Sequence, residues 1–372
     1  MNEKRIAIAC QGGGSQCAFV AGALGTLFAN GVQHRSRIVG LSGTSGGAIT
    51  AALAWVGLLE EARGGGMPIE DRIIGCWKEL SAQSPQELFF DRFCLMTLRM
   101  TEMGLLPSFA SSPASATFQF WSRAVSRLIG RPEFTDLGAV LAKHVPFAKL
   151  PTLVAPESPA LLVGAADVLE GTFKVFSSKR GEITLESLLA SAAIPTLFPA
   201  VWVNGHAYWD GIFSSNPPIL DFLRKPQMGE GTFPNEIWII QVNRVRRDTV
   251  PELPSDILDR RNHLSGNLSL QHELQVVDIF NVLSARGGLT DELRTHFGVG
   301  ASETIAVRFI RMSDELMRSL DYPSKLTRQP EHIDRLIADG VAQAKAFLAE
   351  LEAGALPEPS AIEAVLKEVA LH

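Results

Sequence analysis

The stretch GLSGTSGGAIT, from Gly40 to Thr50, places Ser45 between glycines and contains no charged residue. Apolar residues precede it at 37–42 and follow it at 48–61, in patterns typical of a buried strand and of a helix. The sequence therefore predicts a strand, a tight turn at 43–47 and a helix. Ser45 is then either a nucleophile at the tip of the turn or a small residue in a glycine-rich loop.

The same pattern occurs once earlier in the chain. Residues 4–10 have the pattern of a short buried strand, a run of three glycines follows, and 15–30 has helical spacing. Two such units close in sequence predict adjacent parallel strands joined by right-handed crossovers. Because open sheets of this kind bind ligands beyond the carboxyl ends of their strands, both glycine turns should face one crevice.

Composition indicates a globular protein. The chain has 372 residues, 46% hydrophobic and 20% charged, with a formal net charge of −6. This charge gives no general attraction to nucleic acid, so we expect no nucleic-acid partner. The uncharged runs 6–33 and 38–59 are long enough to span a bilayer, but their glycine clusters would leave backbone groups unsatisfied in lipid.

The four cysteines have neither disulfide-like nor zinc-like spacing. Cys10, Cys17, Cys76 and Cys94 form no C-x-x-C pair, so we expect buried apolar side chains, no metal site and no cofactor. The N-terminus lacks the pattern of a signal peptide. Together these features favour a reducing, cytoplasmic setting.

The second half of the chain predicts further strands followed by helices. Two hairpins are expected, at 160–177 and around the turn Asn204-Gly205. The other expected elements are a central strand at 236–242, a long amphipathic helix at 255–293, a last strand at 304–310 and helices from 313 to 372.

The pattern Gly43-Thr-Ser45-Gly-Gly47 meets one requirement of acyl transfer. Flanking glycines let strand and helix approach closely, while a strained turn exposes the serine hydroxyl. The N-terminus of the following helix also stabilises developing negative charge.

The run Gly12-Gly13-Gly14 suits a second requirement of that chemistry. Consecutive N–H groups without side chains form a concavity that binds an oxyanion. A phosphate site is the alternative, but the dinucleotide pattern G-x-G-x-x-G fails at Cys17 and no Walker lysine follows. The oxyanion interpretation is therefore favoured.

A serine nucleophile needs a base, and the histidines are not distinctive. His206, His263, His272, His296 and His332 lie in polar or helical contexts, where we expect surface or capping residues. An elbow this early in the chain also does not fit a conventional Ser–His–Asp hydrolase.

The most distinctive acid is Asp210, in the segment YWDGIFSSNPP from Tyr208 to Pro218. It emerges from an apolar hairpin into a turn, where we expect an exposed type of carboxylate beside Gly211. An ordinary Asp-Gly turn is the alternative.

Together these features resemble the patatin-like phospholipase family, in its bacterial members. The segment ASAAIPTLFP at 190–199 and the Asn216-Pro-Pro run add to the match, which covers residues 4 to about 220. The resemblance implies an α/β fold of three α/β/α layers, with a mostly parallel central sheet, a helical cap and C-terminal helices. It implies a core at 1–220 with a cap inserted at about 85–131, completed by residues 221–372.

The resemblance also implies a lipid acyl hydrolase with a Ser–Asp dyad and no histidine. Carried over by position, Ser45 is the nucleophile and Asp210 the base. The supporting positions are the oxyanion glycines Gly12, Gly13 and Gly14, the elbow glycines Gly43 and Gly47, and Gly211 and Asn216.

The chain departs from the family pattern at three positions. A basic residue and a glycine usually continue the glycine turn, where this chain has Gln16 and Cys17, and Ile212 replaces the usual glycine or alanine after Asp-Gly. No reacting atom is lost, so we expect activity on phospholipid or lysophospholipid esters. The alternatives are a lipid-binding or regulatory protein with slow turnover, a conventional Ser–His–Asp esterase, and a nucleotide-binding protein.

The expected mechanism and setting follow from the same comparison. A carboxylate base requires a partly desolvated site, and Trp202, Tyr208, Trp209 and Phe213 are candidates for its apolar surroundings. We expect a lipid ester substrate and transient contact with a membrane surface, where the protein would be peripheral.

The segment 85–131 is rich in phenylalanine, leucine and methionine at irregular helical spacing. Apolar helical stripes usually pack inward, so ordinary core is the favoured interpretation. The alternatives are a cap that lines an acyl-chain pocket and an exposed membrane-docking patch. The residues concerned are Phe89, Phe90, Phe93, Met96, Leu98, Met100, Met103, Leu105 and Leu106.

Overall fold

The computed structural model describes residues 3–105, 131, 134, 136–195, 197–229, 232–300 and 302–357. Within them an eight-stranded mixed sheet has the order β5-β6-β3-β2-β1-β7-β8, with β4 paired to β3. The strands are β1 (Arg5–Cys10), β2 (Arg37–Thr44), β3 (Ala160–Asp167), β4 (Thr172–Ser177), β5 (Val201–Val203), β6 (His206–Asp210), β7 (Glu236–Gln241) and β8 (Ala306–Arg311).

Helices cover both faces of this sheet. They are α1 (Ala18–Ala29), α2 (Val32–Arg35), α3 (Gly46–Glu61), α4 (Ile69–Leu80), α5 (Pro85–Glu102), α6 (Leu137–His144), α7 (Leu150–Leu153), α8 (Leu185–Ser191), α9 (Lys225–Met228), α10 (Pro254–Ala285), α11 (Asp291–Phe297), α12 (Asp314–Ser319) and α13 (Pro330–Glu352). Short 3-10 helices lie at Gly14–Cys17, Phe147–Lys149, Ser178–Arg180, Gly211–Phe213, Leu220–Leu223 and Pro323–Lys325.

The side chains of β1 alternate between two hydrophobic cores. Ile6, Ile8 and Cys10 pack with α1, α3, α4 and α13, whereas Ala7 and Ala9 pack with α10 on the other face. Because both faces are covered, the central parallel strands are continuous apolar runs. The predicted three-layer α/β/α arrangement with a mostly parallel sheet is confirmed.

The two predicted strand–turn–helix units form the centre of the sheet. β1 and β2 are parallel neighbours, and β7 pairs in parallel with β1 on its other side. The turn after β2 is tighter than predicted, because β2 runs to Thr44 and α3 begins at Gly46, which leaves Ser45 alone between them. The long helix predicted at 255–293 is two helices, since α10 ends at Ala285 beside Gly287.

The described part of the Phe/Met-rich segment contains α5, and the prediction that its apolar residues pack inward is wrong for five of the eight that the structure describes; Phe90, Leu98 and Met100 are half-buried. Phe89 is 73% exposed. The buried face of the helix instead begins with Glu87 and Asp91, and Asp91 accepts hydrogen bonds from the Thr327 hydroxyl and the Arg328 N–H. Also exposed are Phe93, Met96, Met103, Leu105 and Cys94, the last against the prediction of a buried cysteine.

Polar anchoring thus turns the apolar stripe of α5 outward. The remainder of the predicted cap, at 106–130, lies outside the described residues. The proposed boundaries of core, cap and C-terminal part stay a prediction, although β7 and β8 from the C-terminal part belong to the same sheet.

Candidate active site

The register of β3 brings Ser45 and Asp210 to one place. On one side of β3, the pairing with β2 ends at Thr44 opposite Gly164. The antiparallel pairing with β6 begins at the next residue, where Asp210 lies opposite Ala165. Because β4 occupies the other side of β3, the end of β2 and the end of β6 meet on the same side. Ser45, directly after β2, therefore lies beside Asp210.

Ser45 occupies a strained backbone position. Its φ is 57° and its ψ −132°, a combination that L residues rarely adopt. Its N–H donates to the Ser191 hydroxyl at 2.9 Å, and that hydroxyl donates to the Gly164 carbonyl at 2.6 Å. The sequence analysis did not identify Ser191, although it lies in the ASAAIP segment that carries part of the family resemblance.

The elbow glycines permit close approach of the backbone on either side of Ser45. A Cβ at Gly43 would lie 2.6 Å from the Ala48 nitrogen, and one at Gly47 would lie 2.7 Å from the Gln11 carbonyl oxygen. A Cβ at Gly211 would likewise lie 2.7 Å from the Gly164 carbonyl. At these three predicted positions, only glycine fits without displacement of neighbouring backbone.

Asp210 is fully buried, which corrects the expectation of an exposed carboxylate. Burial raises the pKa of Asp210 to about 7, although hydrogen bonds from the Ser45 side chain and the Ile212 N–H, and the charge of Lys325, act in the opposite direction. The Ile212 N–H donates to Oδ1 at 2.9 Å.

The expected aromatic surroundings are not the cause of this burial. Trp202 is 62% exposed and Trp209 37% exposed, so neither encloses the acid. Tyr208 is buried, and the side chain of Phe213 lies outside the described residues. The sheet itself encloses Asp210, whose N–H donates to the Ala193 carbonyl at 2.9 Å.

The contact between Ser45 and Asp210 is loose. The hydroxyl is near enough to lower the pKa of the acid, yet within the described part of the chain Oδ2 of Asp210 has no partner at full hydrogen-bond geometry. Catalytic hydrogen bonds are often long before substrate binds. Oδ2 is thus an open, buried acceptor on a carboxylate that lies beside a hydroxyl able to supply a proton.

The glycine turn lies directly against the serine. A Cβ at Gly12 would lie 3.0 Å from the Ser45 Cβ. The Gly12 N–H donates to Oδ1 of Asn216 at 2.6 Å, so it is engaged within the protein. Of the three predicted oxyanion donors, the N–H groups of Gly13 and Gly14 are the better candidates. Gly46, the first residue of α3, is a further one, since a Cβ there would lie 2.7 Å from the Gly14 carbonyl oxygen.

A buried amide network that the sequence analysis missed holds this turn in place. Oε1 of Gln11 accepts hydrogen bonds from the N–H groups of Val242 (3.0 Å) and Asn243 (2.9 Å). Its Nε2 donates to the Gly266 carbonyl at 2.9 Å. Nδ2 of Asn243 donates to the Gly12 carbonyl at 3.1 Å. The available signal was a polar residue just after an apolar strand, Gln11 after β1 and Asn243 after β7, at the edge where such sheets bind ligands.

A lysine from the other end of the chain lies behind the turn. Lys325 is 4% exposed, and its Nζ donates to Oδ1 of Asn243 at 2.7 Å. Burial lowers the pKa of Lys325 to about 8, while electrostatic interactions with the ionisable groups of Asp259, Cys17 and Asp210 raise it. No sequence motif distinguishes this lysine. Gln16 lies beside it and donates to the Ser324 hydroxyl at 3.0 Å.

Two of the described histidines pair with acids other than Asp210. Nδ1 of His206 lies 2.9 Å from Asp167, and Nε2 of His144 lies 2.8 Å from Glu79. His263 is buried, which corrects its assignment as a surface or capping residue, and burial lowers its pKa to about 3. Its nearest carboxylate is Asp259, at 3.7 Å.

The described residues contain neither a cluster of metal ligands nor a helix that could span a bilayer. No group of three or more histidine, cysteine, aspartate or glutamate side chains is arranged there to hold a metal ion. No helix in the same ranges is both long and apolar enough to cross a bilayer.

Comparison with known proteins identifies the family of this chain. The family model described as patatin-like phospholipase matches residues 8–223, more than half of the sequence. A search of curated proteins finds no match.

Among solved structures, VipD from Legionella pneumophila is similar over 93% of this chain and 67% of its own, with 13% identity and a TM-score of 0.41. The type III effector ExoU matches over 92% of this chain and 52% of its own, with 13% identity and a TM-score of 0.32. In the ExoU–SpcU complex of Pseudomonas aeruginosa the corresponding values are 80%, 57%, 17% and 0.28. This chain therefore spans about half of the length of ExoU.

Proposed function

Because this chain belongs to the patatin-like phospholipase family, we propose that it hydrolyses fatty-acyl esters with Ser45 as nucleophile and Asp210 as base. One observation carries the proposal. The hydroxyl of a serine held at a strained turn faces a fully buried carboxylate, beside a turn of glycine N–H groups.

In the proposed reaction, Oδ2 of Asp210 accepts the Ser45 proton as Oγ attacks the ester carbonyl carbon. The N–H groups of Gly13 and Gly14 stabilise the oxyanion. Collapse of the tetrahedral intermediate breaks the bond to the alcohol, which takes the proton from Asp210 and leaves an acyl-enzyme. Water then attacks the acyl-enzyme, gives its proton to Asp210, and releases the fatty acid as the proton returns to Ser45.

The pKa of Asp210 suits this role. A carboxylate with its ordinary pKa is a weak base, whereas one with a pKa of about 7 is about half ionised at neutral pH and accepts a proton much more readily. Burial thus supplies the basicity for which other serine hydrolases use histidine.

A basic cavity supports a phospholipid or lysophospholipid substrate over a neutral lipid. The cavity, about 270 Å³ in volume, is lined by Asn243 and by arginines that outnumber its two aspartates. Asp248 lies within 4.0 Å of Arg244 and Arg246, and Asp314 lies 3.8 Å from Arg318, so an anionic headgroup would bind in competition with these exposed ion pairs. Asn243 contacts Gly12, so the cavity lies next to the glycine turn. Guanidinium groups recognise phosphate oxygens well.

A fluorophosphonate probe and a panel of lipids test this proposal. Wild-type protein should be labelled at Ser45 and should release fatty acid faster from phospholipids and lysophospholipids than from monoacylglycerol. Ser45→Ala should abolish both signals. Ser42→Ala is the matched control, because Ser42 is buried in β2 and its hydroxyl has no hydrogen-bond partner among the described residues.

Hydrolysis by Ser45→Ala at a rate near that of the wild type would overturn the serine assignment. A second function, lipid binding with slow turnover, is favoured by the closed state of the site, since Ser45 is 3% exposed. Labelling of Ser45 without release of fatty acid from any lipid would select that function.

A further inference from the structure

Lys325 is a buried cation whose partners are neutral. Its Nζ donates to the side-chain oxygens of Asn243 (2.7 Å) and Asn262. Within the described ranges, Nζ forms no ion pair with a carboxylate, and the acids that influence it act at longer range. A buried charge without a close counter-ion destabilises a fold, and a hydrophobic residue of similar volume is often better tolerated. Stability alone therefore does not account for this lysine.

A chain of two hydrogen bonds connects the ammonium group to the glycine turn, and in each of them the group nearer the lysine is the donor. Lys325 donates to Oδ1 of Asn243, and Nδ2 of the same amide donates to the Gly12 carbonyl at 3.1 Å. That carbonyl shares one peptide unit with the Gly13 N–H. Donation to a peptide oxygen polarises the unit and makes its N–H a stronger donor, and such effects reinforce one another along a chain.

We propose that Lys325 is a positioning residue, which acts through Asn243 to hold and polarise the Gly12–Gly13 peptide so that the Gly13 N–H stabilises the oxyanion. This inference rests on the proposed function of the glycine turn. The turn has no charge of its own to contribute, since Gly14–Cys17 contains no charged residue. Lys325 supplies a positive charge to it from a segment far along the chain.

The main chain of Lys325 also supports the turn. A Cβ at Gly14 would collide with the carbonyl oxygen of Lys325. The preceding residue, Ser324, accepts a hydrogen bond from Gln16. Segment 323–325 thus contacts the turn through its backbone, and the charge of Lys325 acts on the turn through Asn243.

The ionisable groups around Lys325 determine its pH dependence. Asp259 on α10, Cys17 at the end of the first 3-10 helix and Asp210 at the end of β6 raise its pKa, and burial lowers it to about 8. Lys325 and Arg247 both lower the pKa of His263, which stays neutral at pH 7. The ammonium group is therefore charged at neutral pH and loses its proton in mildly alkaline solution.

The test compares Lys325→Met with Lys179→Met. Lys179 is also a partly buried lysine bonded to neutral oxygens, but its Nζ donates to the Pro156 carbonyl, near the amino end of β3 and away from the site. Lys325→Met should lower kcat by about ten- to hundredfold with little change in KM, since one strengthened oxyanion donor is weakened. Fluorophosphonate labelling should slow by a similar factor, and Lys179→Met should leave both rates unchanged.

Rates of Lys325→Met within twofold of the wild type would overturn the inference. If that variant does not fold, as judged by its thermal unfolding, the wild-type pH profile decides. A fall in kcat above about pH 8 supports the inference, and a constant kcat up to pH 10 contradicts it. Loss of the proposed function itself has a different signature, which is an active Ser45→Ala variant.

Discussion

Asp167 and Asp210 belong to neighbouring antiparallel strands and both are buried, yet their pKa values shift in opposite directions. Asp167 accepts hydrogen bonds from the N–H groups of Glu170 (3.0 Å) and Leu169 (3.1 Å) and pairs with His206, and these contacts hold its pKa below the usual range. Among the described residues Asp210 has a single backbone donor, and burial raises its pKa to about 7.

The number of hydrogen bonds donated to the carboxylate, weighed against its loss of water, thus determines whether the pKa of an aspartate falls or rises on folding. The hydrogen bonds to Asp167 stabilise its ionised form, so this carboxylate is a poor proton acceptor. The carboxylate without histidine is the one beside a serine. A search for an acid paired with a histidine would select Asp167 with His206 instead of Asp210, the proposed base.

The largest expected difference concerns hydrolysis. Asp210→Asn removes the proposed base with little change in shape and should lower kcat by about 10³-fold, within the usual range for general-base catalysis. Asp167→Asn, the matched variant, should stay within twofold of the wild type. Fatty-acid release from one phospholipid, measured for both purified variants, checks this.

His206→Ala is a second control for the same comparison. It should also leave hydrolysis unchanged, because His206 contacts Asp167 and not Asp210. A loss of activity in Asp167→Asn or His206→Ala that matches the loss in Asp210→Asn would favour a histidine-dependent mechanism.

The next largest effect is the pH dependence of activity. Asp210 must be ionised to accept the Ser45 proton, and its pKa is about 7. Below this pH, kcat/KM should therefore fall about tenfold per unit, reaching about 1% of its plateau near pH 5. Asp167 remains ionised over this range and should contribute nothing. A flat profile from pH 5 to 7, measured where the protein stays folded, would show that another group is the base.

The smallest effect is on stability. The pKa of Asp210 rises on folding from its ordinary value of 3.8 to about 7, so the folded state binds the proton more tightly and loses stability as the pH rises through this window. Asp210→Asn should therefore raise the free energy of unfolding by at most about 4 kcal/mol at pH 8, which is the full shift at about 1.4 kcal/mol per pKa unit, and by much less at pH 4.

Asp167→Asn should have the opposite sign. Folding lowers the pKa of Asp167, so its ionised form stabilises the protein above the ordinary pKa, and this contribution is lost as the pH falls. Urea denaturation of both variants at pH 4 and pH 8 measures these changes. Equal changes in the free energy of unfolding of the two variants at pH 8 would mean that folding does not shift the two pKa values in opposite directions.

The fold was largely predictable because its signals are local. An apolar strand, a glycine turn and an apolar helix each follow from a few consecutive residues, and β1, β2 and their parallel pairing were predicted correctly. The outward stripe of α5 was not predictable. Its orientation depends on Asp91 contacting residues 327 and 328, far away in the sequence.

The site was predictable only in part, for the same reason. Ser45 and the glycines on both sides of it lie in short motifs, and Asp210 was found through the Asp-Gly pair beside an apolar hairpin. Gln11, Asn243 and Lys325 belong to no motif, because their hydrogen bonds join segments that meet only in the folded chain.

The sequence alone determined that two glycine turns follow two buried parallel strands, since each turn is encoded by its own glycines. Only the tertiary structure decided that β6 pairs with β3 directly beyond the end of β2. This pairing buries Asp210 and brings its carboxylate next to Ser45. A pKa depends on solvent and charge in three dimensions, and no stretch of consecutive residues contains that information.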